Sequence, residues 1–191
     1  MKEFVFKRLK LFIYIFSATL LFDQITKIIV SVSMSLYQSI SVIKGFFHIT
    51  YIENTGFLMG IGGWMNNGRT FNGVVIITIF AILILMGYFF ILMFKEETPH
   101  YLIINFSILI GGAWGNFIDR IVRKKVVDFM EFKIPPLHLG GFSFHSFPIF
   151  NFADFFVSTG IIMLLIYYLF LEKKYVKKQY PDLNEIQKEN Q

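Results

Sequence analysis

The sequence predicts an all-α polytopic membrane protein: four transmembrane helices with a small extracytoplasmic β element over the bilayer. Three observations carry this. Four apolar runs each approach the roughly 20 residues that a helix needs to cross a bilayer. The 191 residues are 55% hydrophobic and only 16% charged, with 25 phenylalanines, and the mean hydropathy is +0.59; soluble domains carry more charge and shorter apolar stretches. Two short β-prone runs, His48–Ile52 and Val126–Phe132, alternate in part between apolar and polar residues and lie outside the apolar runs.

The spans are expected at about Leu11–Val30, Phe71–Phe94, Tyr101–Ile118 and Phe152–Leu171. The first follows Lys7, Arg8 and Lys10 as a signal peptide would. However, Ser17-Ala18-Thr19 makes a poor cleavage site and the apolar pattern resumes after Asp23, so the reading is a retained helix. Lys2, Lys7, Arg8 and Lys10 precede span one, and Lys173, Lys174, Lys177 and Lys178 follow span four. The positive-inside rule therefore puts both termini in the cytoplasm, which requires an even number of spans. Spans two and three become a tight hairpin through Lys95–His100. The long connections, about Ser31–Thr70 and Asp119–Pro148, face outward, although Arg120, Arg123, Lys124, Lys125 and Lys133 oppose the charge rule there. The two β-prone runs are expected to pair over the bilayer, Trp64 to anchor at the interface, and Leu137–Phe147, rich in glycine and aromatics, to skim the membrane. Residues 1–175 read as one membrane domain and 176–191 as a polar cytoplasmic tail. No internal repeat is visible.

The chemistry rests on carboxylates. There is no cysteine, which excludes thiol nucleophiles, thiolate metal sites and disulfides together. The four histidines stand far apart and form no HExxH, so no metal site is expected. The net charge of +5 comes largely from the two ends, a pattern of membrane orientation rather than of nucleic-acid binding. Against this background Asp119 in GGAWGNFIDR, Asp128 in VVDF and Asp154 in FNFAD all fall at the outer membrane edge. Ionisable groups at membrane depth are costly and by default functional. Each alone is accounted for by helix capping or by an arginine partner; the three together, among Asn and Gly neighbours, point to a site.

Asn151 is placed to cap the helix after Pro148, which sets Asp154 in its first turn, where the positive end of the helix dipole faces a carboxylate. Asp128 lies on a strand between Val127 and Phe129, where desolvation favours the protonated form. If the two meet, one carboxylate activates water while the other acid protonates a carbonyl. Gly112, Asn116 and Arg120 recur four apart on one helix face, with Arg120 placed to hold a carboxylate or a substrate carbonyl. Gly111 and Gly115 form a small-xxx-small pair suited to close helix packing. Asp119 is expected to pair with Arg123, and Asp23 with Lys27 as an intrahelical ion pair. Asn54 and Gly56 offer an amide and a permissive turn to an extended peptide.

FDQITK, ENTG, GGAWGNFIDR, VVDF and FNFAD, in this order among four spans, resemble the lipoprotein signal peptidases (signal peptidase II), from about Phe22 to Leu171. The resemblance implies an intramembrane aspartic endopeptidase that removes the signal peptide of prolipoproteins just before the lipid-modified cysteine. It implies Asp128 and Asp154 as a catalytic dyad, with Asp23, Lys27, Asn54, Gly56, Asn116, Asp119, Arg120 and Asn151 binding substrate or supporting the site. It further implies no cofactor, lipid-modified prolipoproteins and membrane lipids as partners, sensitivity to globomycin-type inhibitors, and a bacterial cytoplasmic (inner) membrane with the active site at its outer face. Phe57-Leu58-Met59 and the run Leu137–Phe147 depart from the family's usual pattern where substrate would lie. The main alternative is a small proton-coupled transporter using the same aspartates as a relay, which needs polar groups across the whole bilayer rather than at one side. A serine peptidase built on Ser143 and His145 lacks an evident orienting acid.

Overall fold

In the computed structural model the described residues are 3–55, 68–139, 142–172 and 175, without the side chains of 68–72 and 134–146. Expectations for Gly56, Phe57-Leu58-Met59, Trp64 and the 176–191 tail lie outside them, as do those for the side chains of Ser143 and His145. The element order is α1 (Glu3–Ser33), β1 (Ser39–Ile43), β2 (Phe47–Asn54), α2 (Gly68–Phe94), α3 (His100–Arg123), β3 (Val126–Leu139), β4 (Phe142–Ser146) and α4 (Phe152–Ile166), which ends in a π-helical turn over Tyr167–Leu171. Four helices among the described residues are long and apolar enough to cross a membrane.

The helices outrun the apolar segments for identifiable reasons. The α1 helix begins well before Leu11 because Lys7 pairs with Glu3 one turn back at 2.7 Å, and because Arg8, only 4% exposed, is anchored across the bundle. Its guanidinium donates to the carbonyls of Met93, Lys95, Glu96 and Thr98 at 2.7–3.1 Å. One side chain thus satisfies carbonyls left open where α2 ends and fixes the turn into α3. At its far end α3 runs to Arg123 and stops at Lys124, which adopts a left-handed φ of 61° as its cap.

The central helix is α3, packed on α1, α2 and α4. Its glycines make this possible. A Cβ on Gly112 would stand 2.7 Å from the Ala153 carbonyl oxygen of α4, and one on Gly115 2.5 Å from Asp23 Oδ2 of α1, so close backbone approach here needs a missing side chain. The outer faces of α1, α2 and α4 expose Ile13, Leu21, Ile84, Phe90 and Leu165, as lipid-facing surfaces do.

The β element is larger than its two β-prone runs suggested: a four-stranded antiparallel sheet in the order β1-β2-β3-β4. The run Ser39–Ile43, which alternates serine with isoleucine and valine, pairs as an outer strand with Ser39 opposite Thr50, and turns into β2 through Gly45 at a φ of 75°. Within the Leu137–Phe147 run, Leu137–Leu139 end β3 and Phe142–Ser146 form β4, and the two pair as a hairpin. Pro135 and Pro136 sit where the β3–β4 register shifts between Lys133 and Leu137, so their missing donors fall at an irregularity. Past β4 the chain returns along β3: the amides of Phe129 and Met130 donate to the Phe150 carbonyl at 3.0 and 2.8 Å. That return delivers the start of α4 beside the middle of β3.

Candidate active site at the ends of α3 and α4

The sheet register sets Asp128 opposite Ile52, and Asn54 opposite Val126. Asp128 is 1% exposed; its Oδ2 accepts from Asn54 Nδ2 at 2.9 Å and its Oδ1 from Asn151 Nδ2 at 2.6 Å. Burial pushes the Asp128 carboxyl up to about 7; the neighbouring Asp154 charge adds to the shift, while the two amide donors and Lys27 offset part of it. The protonated state favoured by its strand position is therefore what its surroundings support.

Asp154 is only half-buried and belongs to a capping box. Asn151 Oδ1 accepts from the Asp154 amide at 3.0 Å, while Asp154 Oδ2 accepts from the Asn151 amide at 3.3 Å. Its remaining oxygen, Oδ1, accepts from Asn116 Nδ2 at 2.7 Å. The two asparagines join the two aspartates, because Asn151 Nδ2, besides touching Asp128, donates to Asn116 Oδ1 at 3.0 Å. Asn151 thus caps α4 and bridges to Asp128 and Asn116 with one side chain. Arg120 donates to the Asn116 carbonyl at 3.2 Å, and its charge acts on Asp154, Asp128 and Asp119.

Below this layer lies a buried ionic cluster. Lys27, fully buried, contacts Asp23 at 2.8 Å and Asp119 at 3.0 Å and donates to Asn116 Oδ1 at 2.9 Å. The expected intrahelical pair is therefore one edge of an inter-helix bridge from α1 to α3. Asp23 Oδ1 accepts from the Ala153 amide at 2.8 Å, so α1 also tethers the first turn of α4. Asp119 pairs with Arg123, as its spacing suggested, and with Lys27.

Of the ten predicted site residues, Gly56 lies outside the described residues and the other nine meet in this one network. Sequence reasoning assigned no role to Gln24, whose amide nitrogen donates to Asp23, the Gly115 carbonyl and Asp119 at 3.1–3.4 Å. Its place inside FDQITK was the available signal. The Val127 carbonyl, which accepts from Asn151 at 3.2 Å, had no sequence signal at all. Outside the network Lys125 holds Glu53 at 2.6 Å, clamping the residue before Asn54 to the turn that opens β3.

The arrangement offers a buried acid, a more open carboxylate and amides fixing both. Similarity to known proteins runs the length of it. The family model described as signal peptidase (SPase) II matches residues 15–170. A lipoprotein signal peptidase of Staphylococcus carnosus is 38% identical over 175 residues, covering 91% of this chain and 98% of that protein. One from Clostridium tetani is 38% identical over 148 residues, 78% of this chain and 85% of its own. A solved structure described as a bacterial membrane enzyme at 1.9 Å resolution superposes with a TM-score of 0.65 at 31% identity, over 83% of this chain and 92% of the other. A second, at 2.3 Å, gives 0.63 at 30% identity, over 83% of this chain and 87% of the other. Sequence and fold agree over most of the molecule, and the chain, a multi-pass membrane peptidase, belongs to the signal peptidase II family.

Proposed function

We propose that this protein cleaves the signal peptide from membrane-bound prolipoproteins just before the diacylglyceryl-modified cysteine, with Asp128 and Asp154 as the catalytic pair. The observation that carries the reading is the asparagine bridge: Asn151 and Asn116 bind both carboxylates at 2.6 and 2.7 Å while leaving them in different surroundings. Asp154, partly exposed at the α4 N-terminus, takes the proton of a water whose oxygen attacks the scissile carbonyl carbon. Asp128, whose carboxyl burial raises to about 7 so that a protonated fraction persists near neutrality, gives its proton to the carbonyl oxygen. Collapse of the tetrahedral diol returns a hydroxyl proton to Asp128 and breaks the C–N bond as Asp154 passes its proton to the cysteine nitrogen, and a new carboxyl terminus leaves with the signal peptide.

The positive-inside reading orients the molecule with both termini in the cytoplasm of a bacterial cell and the site at the outer face of the cytoplasmic membrane. There a lipid-held substrate and bulk water are both within reach. On this reading Asn54 and Arg120 hold an extended peptide across the pair, and Gly56 of the same motif gives the turn after Asn54 its freedom; membrane lipids and globomycin-type inhibitors are the other expected partners. A proton relay draws no support from this geometry, since the linked polar groups cluster at one end of α3 and α4.

The test is direct. Purified protein incubated with a diacylglyceryl-modified prolipoprotein should release the shortened lipoprotein with cysteine at its new N-terminus. Asp128→Asn and Asp154→Asn should each abolish cleavage, and the double variant should be no worse than either, because a unit that needs both members fails once. Near-parental activity in either single variant would remove the aspartic mechanism.

A further inference from the structure

At the opposite end of the bundle, α2, the α2–α3 turn, α3 and the π-helical end of α4 enclose a cavity of about 170 Å³. Tyr88, Tyr167, Tyr168 and Tyr175 supply its aromatic lining, and Glu97 and Glu172 its carboxylates, against the single lining cation Lys95. Among the described residues neither carboxylate is engaged in an ion pair. The Thr98 hydroxyl, on a residue 5% exposed, also lines it and has no hydrogen-bond partner.

The site is built rather than left over. Arg8 fixes the turn that carries Glu97 and Thr98, taking the Thr98 carbonyl at 2.7 Å. The Tyr88 and Tyr168 hydroxyls meet at 2.8 Å and tie α2 to α4. The π-helical turn, a feature that often marks functional sites, sets the Tyr167 ring 5.2 Å from Tyr168 and 6.0 Å from Tyr175. Ring faces, two carboxylates and a free hydroxyl acceptor recognise an ammonium or guanidinium group. They are also unexpected at this end of the chain, where Lys7, Arg8 and Lys10 gather.

Resting on the peptidase reading, we propose that this cavity is an exosite that holds the basic n-region of the signal peptide while the cleavage site lies at the aspartates. Distance supports the pairing. From Asp154 to Tyr168 is 14 residues along α4, roughly 20 Å at 1.5 Å per residue. A signal peptide joins its positively charged start to its cleavage site through about 7–15 apolar residues, which as a helix cover roughly 10–22 Å. Both positive ends also face the cytoplasm by one rule.

The experiment uses the full chain in neutral maltoside micelles and two diacylglyceryl-modified substrates, with two lysines or two glutamines in the n-region. The lysine substrate should show a KM lower by about tenfold, as two weak ion pairs with ring contacts would give, at unchanged kcat. Glu97→Gln with Glu172→Gln should erase that difference and leave the glutamine substrate untouched; Lys95→Gln should widen it. Removing four h-region residues, roughly 6 Å, should also erase it. Equal KM values in the parent, or a difference that survives in the double variant, would overturn the exosite. So would a loss of activity in the double variant that depends only on added phosphatidylethanolamine, the mark of a lipid amine site. Cleavage of neither substrate by the parent would instead sink the peptidase reading, and the exosite with it.

Discussion

Replacing Lys27 by methionine isolates the ionic cluster from the chemistry above it. Asp23, Asp119 and Lys27 are fully buried, and Arg123 completes a balance of two negative and two positive charges. Methionine matches the length of the aliphatic stem but strips the cation, leaving Asp119 with Arg123 and Asp23 with no positive partner. Breaking a buried pair on one side costs about 3–5 kcal/mol. For a chain of this size each kcal/mol moves the midpoint by about 2–4 °C, so the thermal transition should fall by roughly 6–20 °C. Intrinsic tryptophan fluorescence of the protein in micelles reads that shift.

The double variant Asp23→Asn/Lys27→Met removes one charge of each sign. Asparagine keeps an oxygen for the Ala153 amide, now held at 2.8 Å, so most of the lost stability should return. Activity should not return with it. In both variants Asn116 Oδ1 loses the ammonium that now donates to it at 2.9 Å and keeps the Asn151 amide at 3.0 Å, so the orientation that aims Asn116 Nδ2 at Asp154 is weakened. A hydrogen bond to a charged group is worth about 1.5–3 kcal/mol, so kcat should stay depressed by about tenfold or more. A single variant that melts within about 2 °C of the parent, or a double variant no more stable than the single, would refute the charge-balance argument.

Asp154→Glu, which keeps the charge but displaces the oxygens that bond Asn116 and the Asn151 amide, should cut kcat severely with little change in expression; a rate equal to the parent's would separate the capping box from catalysis. Because Asp128 is raised to about 7, kcat/KM should fall as pH rises through that region, a limb that belongs to the pair as a unit; Asn54→Leu, removing a donor that lowers the value, should move the limb to higher pH. The same raised value means that the protonated Asp128 contributes stability fully present below about pH 4 and lost as pH rises through about 7. Asp128→Asn should therefore be inactive yet gain thermal stability above pH 7, as melting curves at pH 5 and 8 would show. Gly112→Ala would push a Cβ to 2.7 Å from the Ala153 carbonyl oxygen and should cost about 1–3 kcal/mol with lost activity, whereas Gly87→Ala, with nothing within 4 Å of the new carbon, should be neutral in both assays.

What the sequence made legible follows from where the cost of error is highest. An aspartate at membrane depth has few low-cost explanations, so Asp128 and Asp154 stood out, and spacing of four along a helix was enough to link Asp23 to Lys27 and Asp119 to Arg123. Those pairings are local. The contacts that turn them into one cluster, Lys27 to Asp119 and Asp23 to the Ala153 amide, join helices about 90 and 130 residues apart in the chain, and no local period encodes them. Strand β1 went unread although Ser39-Ile40-Ser41-Val42 alternates, because it is only five residues long and exposed throughout, so no buried face sets it apart from loop. The β3–β4 hairpin was missed because its glycines and paired prolines read as loop chemistry.

The two ends of the bundle differ in how they bear their buried polar groups. At the Asp128–Asp154 end Asp23, Asp119, Asp128 and Asp154 each have at least two partners, and the cluster beneath the pair fixes three helices in place, so the proposed water and peptide would meet groups already in position. At the opposite end Arg8 is committed to four carbonyls of one turn, and Thr98, which that turn carries, is left with an unused hydroxyl beside four tyrosines. A buried hydroxyl without a partner costs about 1–3 kcal/mol, a loss that a turn already so firmly stapled would have no reason to keep unless something else completes the bond. An ammonium group entering the cavity would complete it. Thr98→Val should therefore stabilise the free protein while weakening its preference for a lysine-bearing n-region; a variant that changes neither property would leave Thr98 with no part in recognition.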